Sequence, residues 1–503
     1  MDASKKVRSS FLADRQFCRD QVAWSLASRG AQHAGKERRF NNAQASLEST
    51  GDRKMSSADA RVQSEQRPEQ RTQPGRLDSG GAFAGEVPEK VSARKVVRVL
   101  RNREFALFWG GQAVSQTGTW MQQFAQGWVV TTLAGSAFAL ASVNFAASIP
   151  MLVLMPFGGV FADRMERRRI LLVTQWVMAL LAVLMGALIH AGRLQLWHVW
   201  VIALLLGLAT AYDMPAYQSF YPQLVESEDL QQAIALNQAS FHGSRIIGPA
   251  LASWFVARWG MAAAFFANAA SFLAVIGSLL VIKPRASAAG RRMGTRQFMA
   301  EGVRYVRERK NITALFGLTA ITTIFIFPNV TVLMPFYANH VLHVGPSGLG
   351  VIMAVSGAGA LVGAMYLVVL PRSARVGWIV VALVLVAVSL FALGWSRHLP
   401  LSLAAAAIVS FGIASSLGVA SVMVQECVPD AFRGRVMSLY GLTFTGVMPF
   451  AALAVARLAD LIGMRRELLF SAIAYCICGM LLMPMLLRTN RATALRHSSA
   501  PLR

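Results

Sequence analysis

The chain has 503 residues, of which 55% are hydrophobic and only 15% charged, with a formal net charge of +24 and a mean hydropathy of +0.46. Soluble globular chains carry about 25% charged residues, whereas here the apolar residues come in runs of about 20, the length a bilayer demands. Lys and Arg are spread over loops and tails rather than gathered on one module with interleaved aromatics, which argues against nucleic acid as a partner and for a lipid bilayer.

Residues 1–98 are rich in Arg, Ser, Gln, Glu, Gly and Ala and contain no sustained apolar run. Such a segment cannot offset its ordering entropy by burial, so a disordered cytoplasmic tail is predicted, with Met55 as another possible start. No apolar core of a signal peptide is present in it. From Phe105 onward twelve apolar spans are predicted, at about 105–131, 138–161, 170–191, 197–221, 233–257, 261–282, 313–337, 347–370, 377–395, 400–424, 436–459 and 467–487. All are read as helices, because a span in lipid must satisfy its own backbone hydrogen bonds. The fold class is therefore an all-α membrane protein. An amino-terminal six-helix bundle (99–282) and a carboxyl-terminal one (313–488) are expected, followed by a cytoplasmic tail at 489–503.

Orientation follows from charge. Loops on one side carry Arg164, Arg167–Arg169, Lys283, Arg285, Arg291, Arg292, Arg296, Arg304, Arg307, Arg309, Lys310, Arg372, Arg375, Arg433 and Arg435. Those on the other carry Arg193, Arg258, Arg397, Arg465 and Arg466. The richer side is predicted to be cytoplasmic, with both termini inside. The long loop 283–312 contains a possible amphipathic helix from Gln297 to Arg309 at the cytoplasmic interface. A constant offset of 203 relates Val225, Leu236, Phe241, Gly243, Gly260 and Met261 to Val428, Leu439, Phe444, Gly446, Gly463 and Met464, favouring a duplicated transporter fold.

Polar residues inside apolar spans mark the candidate site. Gln112, Ser115, Gln116, Thr119, Gln122, Gln123 and Gln126 fall within a sector about 120° wide on the first span. Their amides need partners, so they line a water-filled or ligand-lined cavity or bond to other helices. Trp120 borders this stripe. On the fifth span Gln238, His242 and Arg245 share a face; an intramembrane Arg serves substrate, proton linkage or a structural ion pair. His242 is a proton-coupling candidate or a packed polar residue. On the same span Gly248 and Pro249 lie on a face suited to close packing. Asp213 on the fourth span pairs with an Arg of the 164–169 loop as a gate, or binds a proton. Thr319, Thr322, Thr323 and Asn329 are cavity residues of the seventh span or back-bonded threonines. Asn144 and Asn268 are weaker cavity candidates. Cys18, Cys427, Cys476 and Cys478 lack metal or redox spacing, so no metal and no cofactor are predicted. No Walker-type loop and no acid/base cluster is visible, so neither ATP-driven transport nor an enzyme is expected.

The loop between the second and third spans carries the most specific signal. Gly159-Val-Phe-Ala-Asp163-Arg164-Met-Glu-Arg167-Arg168-Arg169 resembles motif A of the major facilitator superfamily, with Phe161 and Glu166 departing from it. Gly110 to Trp128, Asp213-Met-Pro215, Ala235-Leu-Asn237, Arg245-Ile-Ile-Gly248-Pro249 and Val428 to Val436 resemble bacterial transmembrane secretion effectors, which include enterobactin-exporter-like proteins. Ala252-Ser253 stand where antiporter motif C has glycines, so that motif does not establish antiport.

The resemblance implies a major facilitator fold and a secondary transporter of the cell (inner) membrane. It would export a siderophore-like or drug-like molecule by alternating access, with a proton as coupling ion. Gln112, Gln116, Gln123, Arg245 and Asn329 are the expected cavity residues. Gly159, Asp163, Arg164, Arg167, Arg168 and Asp213 form the expected gate, and a monomer is expected. An importer of the same fold, or a membrane sensor or scaffold that does not transport, remain the alternatives.

Overall fold

The computed structural model describes residues 93–162, 166–282 and 295–498. Most of the predicted tail, Asp163, Arg164 and most of the basic stretch 283–294 lie outside these residues. Among the described residues nine helices are long and apolar enough to cross a membrane. They coincide with predicted spans two to four, six and eight to twelve.

The first described element is α1 (Ala93–Arg101), within the last residues of the predicted tail. Its Arg98 donates to Asp229, 131 residues away, and that partner raises the pKa of the guanidinium. Asn102 then caps α2 (Arg103–Ala134), accepting from the Glu104 and Phe105 amides at 3.1 and 3.3 Å. An Asn at this position satisfies amides that no helical carbonyl can reach. Next come α3 (Ala137–Ala162), α4 (Arg167–His190), α5 (Leu196–Phe220), α6 (Leu230–Trp259) and α7 (Met261–Val281).

The amphipathic segment is helical, as α8 (Thr295–Arg307). It does more than skirt an interface. Glu301 pairs with Arg435, a Cβ on Gly302 would sit 3.0 Å from Leu439, and Tyr305 stacks on Phe432 at 4.9 Å. The helix is therefore fastened to α14 (Asp430–Thr445).

The seventh predicted span is not one helix. It comprises α9 (Lys310–Phe325), a π turn (Pro328–Val332) and α10 (Met334–His340). Pro328 and Pro335 remove two backbone donors and crowd the preceding turn, which breaks a helix. The Asn329 amide compensates by donating to the Phe325 carbonyl at 3.1 Å. The eleventh span is interrupted too, as α14 and α15 (Met448–Ile462), with Pro449 at the start of the second piece. The other helices are α11 (Pro346–Val369), α12 (Arg375–Trp395), α13 (Leu399–Cys427) and α16 (Met464–Ser498).

Small residues set the closest approaches. A Cβ on Gly248 would lie 2.5 Å from the Trp120 Cβ and 2.9 Å from the Thr117 carbonyl oxygen. One on Gly350 would lie 2.5 Å from the Ser253 Cβ. Helix α6 is thus pressed between α2 and α11, with Gly248 at the contact with α2.

Candidate functional site

The predicted spans absent from the nine apolar helices are the first, fifth and seventh, which form α2, α6 and the broken α9–α10 segment. All three contribute to a cavity of about 420 Å³, a size that suits a drug-sized molecule. From α2 come Thr119, Trp120, Gln122, Gln123 and Gln126; from α6 comes Arg245; from the break come Thr331 and Met334. Asn144 and Ser148 of α3, Thr210 of α5, Asn268 of α7 and Ser356 of α11 add polar groups to a wall otherwise rich in Met, with smaller shares of Leu, Val and Ala and one Phe.

Arg245 is the charged residue of this lining. Its guanidinium carbon lies 5.7 Å from the centroid of the Trp120 ring, which in turn meets Phe241 edge-on at 5.9 Å. It forms no ion pair among the described residues. No structural ion pair of Arg245 is thus seen among the described residues, where its contact is the Trp120 ring. A cation over an indole face keeps its donors available while gaining a modest attraction.

The glutamine stripe divides. Gln123 is exposed to the cavity and Gln126 lines it, whereas Gln122 is buried and accepts from the Asn268 amide at 2.7 Å. Gly118 makes this possible: a Cβ there would come within 2.4 Å of the Asn268 Oδ1. Gln112 and Gln116 stand further toward the start of α2 and are not part of the lining. Helical periodicity fixed their face but carried no information about where along the helix the cavity ends. His242 also lies outside the lining; its ring meets Phe241 at 5.5 Å and its Nδ1 is buried without a partner.

Asn329 belongs elsewhere than expected. It is 2% exposed, and it donates to Glu467 at 3.2 Å instead of facing the cavity. The threonines of α9 are likewise consumed internally. Thr322 and Thr323 bond to the Leu318 and Thr319 carbonyls, and Thr319 also donates to the Tyr440 hydroxyl at 2.9 Å. Back-bonding of this kind is the ordinary way a helix satisfies Thr.

The gate residues are placed in part. Asp213 accepts from Thr174 at 2.6 Å and from Gln175 at 3.1 Å, both on α4. Arg167 donates to the Ser219 carbonyl at 3.2 Å, and Arg168 to the Leu279 and Leu280 carbonyls at 2.6 and 3.0 Å. Neither basic residue thus supplies the predicted partner of Asp213. Carbonyls at the ends of α5 and α7 lack helical donors, and a nearby guanidinium satisfies them. Gly159 lies within α3, while Asp163 and Arg164 lie outside the described residues.

Two acids escaped the sequence reading. Asp460, at the end of α15, receives the Ser136 hydroxyl at 2.6 Å and the Ala137 and Phe138 amides at 2.8 and 3.0 Å. It caps α3 from 323 residues away, where the helix N-terminus favours a negative charge. Phe145 meets Phe450 at 5.3 Å nearby. Glu467, in the first turn of α16, is wholly buried. Both acids sit at predicted span edges, where charges read as loop; only pairing across the structure separates them.

Residues 96–502 match the family described as transmembrane secretion effector. Macrolide efflux protein A of Streptococcus pyogenes is 26% identical over 397 residues, covering 76% of this chain and 96% of that protein. The multidrug efflux pump Tap of Mycolicibacterium fortuitum is 25% identical over 362 residues, covering 70% and 88%. The crystal structure of a bacterial homologue of the human lysosomal transporter Spinster superposes with a TM-score of 0.58 at 14% identity, covering 80% of this chain and 98% of that one. The chain belongs to the transmembrane secretion effector family of the major facilitator superfamily, and it is a multi-pass membrane transporter.

Proposed function

We propose that the protein is a twelve-span secondary transporter of the cell membrane that exports a small organic molecule by alternating access. The observation that carries this reading is the cavity itself: polar groups from α2, α3, α6, α7 and the broken segment converge on an otherwise apolar wall. The names of the macrolide and multidrug relatives favour outward transport of a drug-like cargo. Counting α2, α6 and the α9–α10 segment with the nine apolar helices gives twelve spans, in two bundles of six joined by the 283–312 connection.

In this reading Gln123, Gln126 and Arg245 orient the cargo, and the Met residues and their aliphatic neighbours supply apolar contact. The basic loops face the cytoplasm. The Asp460 cap, the Phe145–Phe450 contact and the Gly350–Ser253 approach then close the external end. Asp163, Arg164 and Asp213 would act at the cytoplasmic end when the cycle reverses. A proton moving through 100 mV releases about 2.3 kcal/mol, which suits it as the coupling ion.

Export is tested in a drug-sensitised bacterial host carrying the full chain, using a panel of macrolides, cationic dyes and siderophores with and without a protonophore. Outward flux of at least one compound, abolished by the protonophore, is the expected result. Net uptake of that compound, or fluxes unchanged by expression across the panel, would overturn the reading.

A further inference from the structure

Glu467 is a carboxyl group inside apolar protein with too few donors. Its Oε1 accepts from the Asn329 amide and the Ser471 hydroxyl. Its Oε2 is buried without a partner, and so is the Asn329 Oδ1. Two adjacent residues thus present orphan acceptors while no donor remains to serve them. An ionised carboxylate here would be a buried charge lacking a cation, an arrangement far more costly than a hydrogen-bonded neutral group.

Among the described residues, no neighbouring charge supplies the cation. On α16, Arg465 is committed to the Gly394 and Trp395 carbonyls at 3.0 and 2.9 Å, and Arg466 points to the surface. On α15, Arg457 is exposed and Asp460 caps α3. Next to the site on α9 and α10 stand Thr322, whose hydroxyl meets that of Tyr475, then Tyr337, bonded to the Leu393 carbonyl, and His340, stacked on Phe336. From α12 come Arg375, paired with Glu426 at the far end of that helix, and then Arg397 and His398 in the turn that follows. The helix N-terminus favours negative charge, but weakly and only within its first turn.

We propose that Glu467 is a proton-binding site of the external closure. As the α15–α16 turn closes, the carboxylate takes one proton from the last external water to reach it and is held behind the shut turn as a neutral acid, its Oε2 hydroxyl providing the missing donor. When that end opens, water reaches the carboxyl and the proton leaves to it. The π turn bearing Asn329 is the moving part, because its side chain binds Glu467 on one side while the next residues, Val330 and Thr331, line the cavity. Occupancy of the proton site and access to the cavity are thereby linked. The site differs from Asp213 and His242, and it deepens the export reading without depending on the direction of transport.

Two measurements on the purified full chain test it, and neither requires cargo. Difference infrared spectroscopy of the wild type should show a protonated-carboxyl band at neutral pH that Glu467→Gln removes and Asp213→Asn leaves. A band undiminished in Glu467→Gln overturns the proposal. Thr331→Cys, made with the native cysteines replaced, is then alkylated from the outside of right-side-out vesicles with an impermeant maleimide. Labelling, divided at each pH by that of a permanently exposed external Cys so that thiolate ionisation cancels, should rise at least about threefold as the pH is raised. In combination with Glu467→Gln, which mimics the neutral acid, it should stay at its low-pH level throughout. Glu467→Leu with Asn329→Leu, which removes the whole polar pair, should be equally flat. A pH response that survives in both backgrounds overturns the link between proton and closure, whereas failure of the host to export any compound bears only on the export reading.

Discussion

The polar residues of α2 and those of α9 look alike in the sequence, and the fold puts them to opposite uses. On α2 the stripe stays open: Gln123 and Gln126 face a cavity, and Arg245 opposite them has no counter-charge among the described residues. On α9 and its π turn the polar groups close on one another and on α16, as Thr322 with Tyr475 and Asn329 with Glu467. A polar face within a membrane helix therefore tells that partners exist, not whether a ligand is one of them. The difference lies in neighbours. Helix α2 meets α6 through Gly248, which brings the backbones together beside Trp120 and leaves the longer side chains to project into the gap.

The largest expected effect tests the open side. Arg245→Ala should lower export of whichever compound the host screen identifies by about tenfold or more, because a hydrogen bond to a charged group contributes about 1.5–3 kcal/mol and 1.4 kcal/mol is a factor of ten. Thr322→Val, on the closed side, should leave the flux near wild type, since its hydroxyl serves the Leu318 carbonyl and Tyr475. Equal losses at both positions would erase the distinction between the two regions.

Next in size is the packing that creates the gap. Gly248→Leu should destabilise the protein by about 1–3 kcal/mol, the usual range for overpacking, read as a lower melting temperature in detergent. Gly441→Ala on α14 is the control, because nothing lies within 4 Å of a Cβ there. Replacing a helical Gly with Ala at such a site should be neutral or stabilising by up to about 1 kcal/mol.

Much of this was readable before the structure. Apolar run lengths gave the nine membrane-length segments, each matching one predicted span, although the eleventh is broken between α14 and α15. The face of the α2 stripe followed from helical periodicity, and the cost of burying a charge singled out Arg245, which lines the cavity. What escaped were features fixed by contacts between distant residues. Asn329 looks like a cavity residue until Glu467, 138 positions later, is seen against it. Gln112 and Gln116 share the right face but stand at the wrong height. The breaks at Pro328 and Pro449 were also underestimated, because membrane helices often tolerate proline and sequence alone does not say where the freed backbone groups find partners. An Arg of the 164–169 loop was expected at Asp213 by charge; of that loop, Arg167 and Arg168 are held instead by the carbonyl ends of α5 and α7, and Arg164 lies outside the described residues.

The stripe itself contains both behaviours, which sharpens the comparison. Gln122 is one residue from Gln123 yet is spent on Asn268. Gln122→Leu should cost about 1 kcal/mol of stability by leaving the Asn268 amide without its acceptor. Gln122→Leu combined with Asn268→Leu should recover part of that loss, and a thermodynamic cycle over the four proteins gives the coupling. Gln123→Leu should instead spare the melting temperature and lower export.

The smallest effect belongs to Asp460, and its direction matters more than its size. The residue is exposed, so removing its cap on α3 by Asp460→Ala should cost about 0.5 kcal/mol, the lower end for an N-cap. That energy is held only while α15 lies against α3, because no other described residue replaces the carboxylate at the Ala137 and Phe138 amides. The loss therefore falls on one conformation instead of on the folded state as a whole. It should shift the balance toward the externally open form roughly twofold, seen as faster alkylation of Thr331→Cys from outside at unchanged melting temperature. A lower melting temperature with no change in labelling would mean that the cap supports the fold rather than the closure. The polar contact at Asp460 would then be structural, and the pH response of the external closure would have to rest on Glu467 without help from the cap.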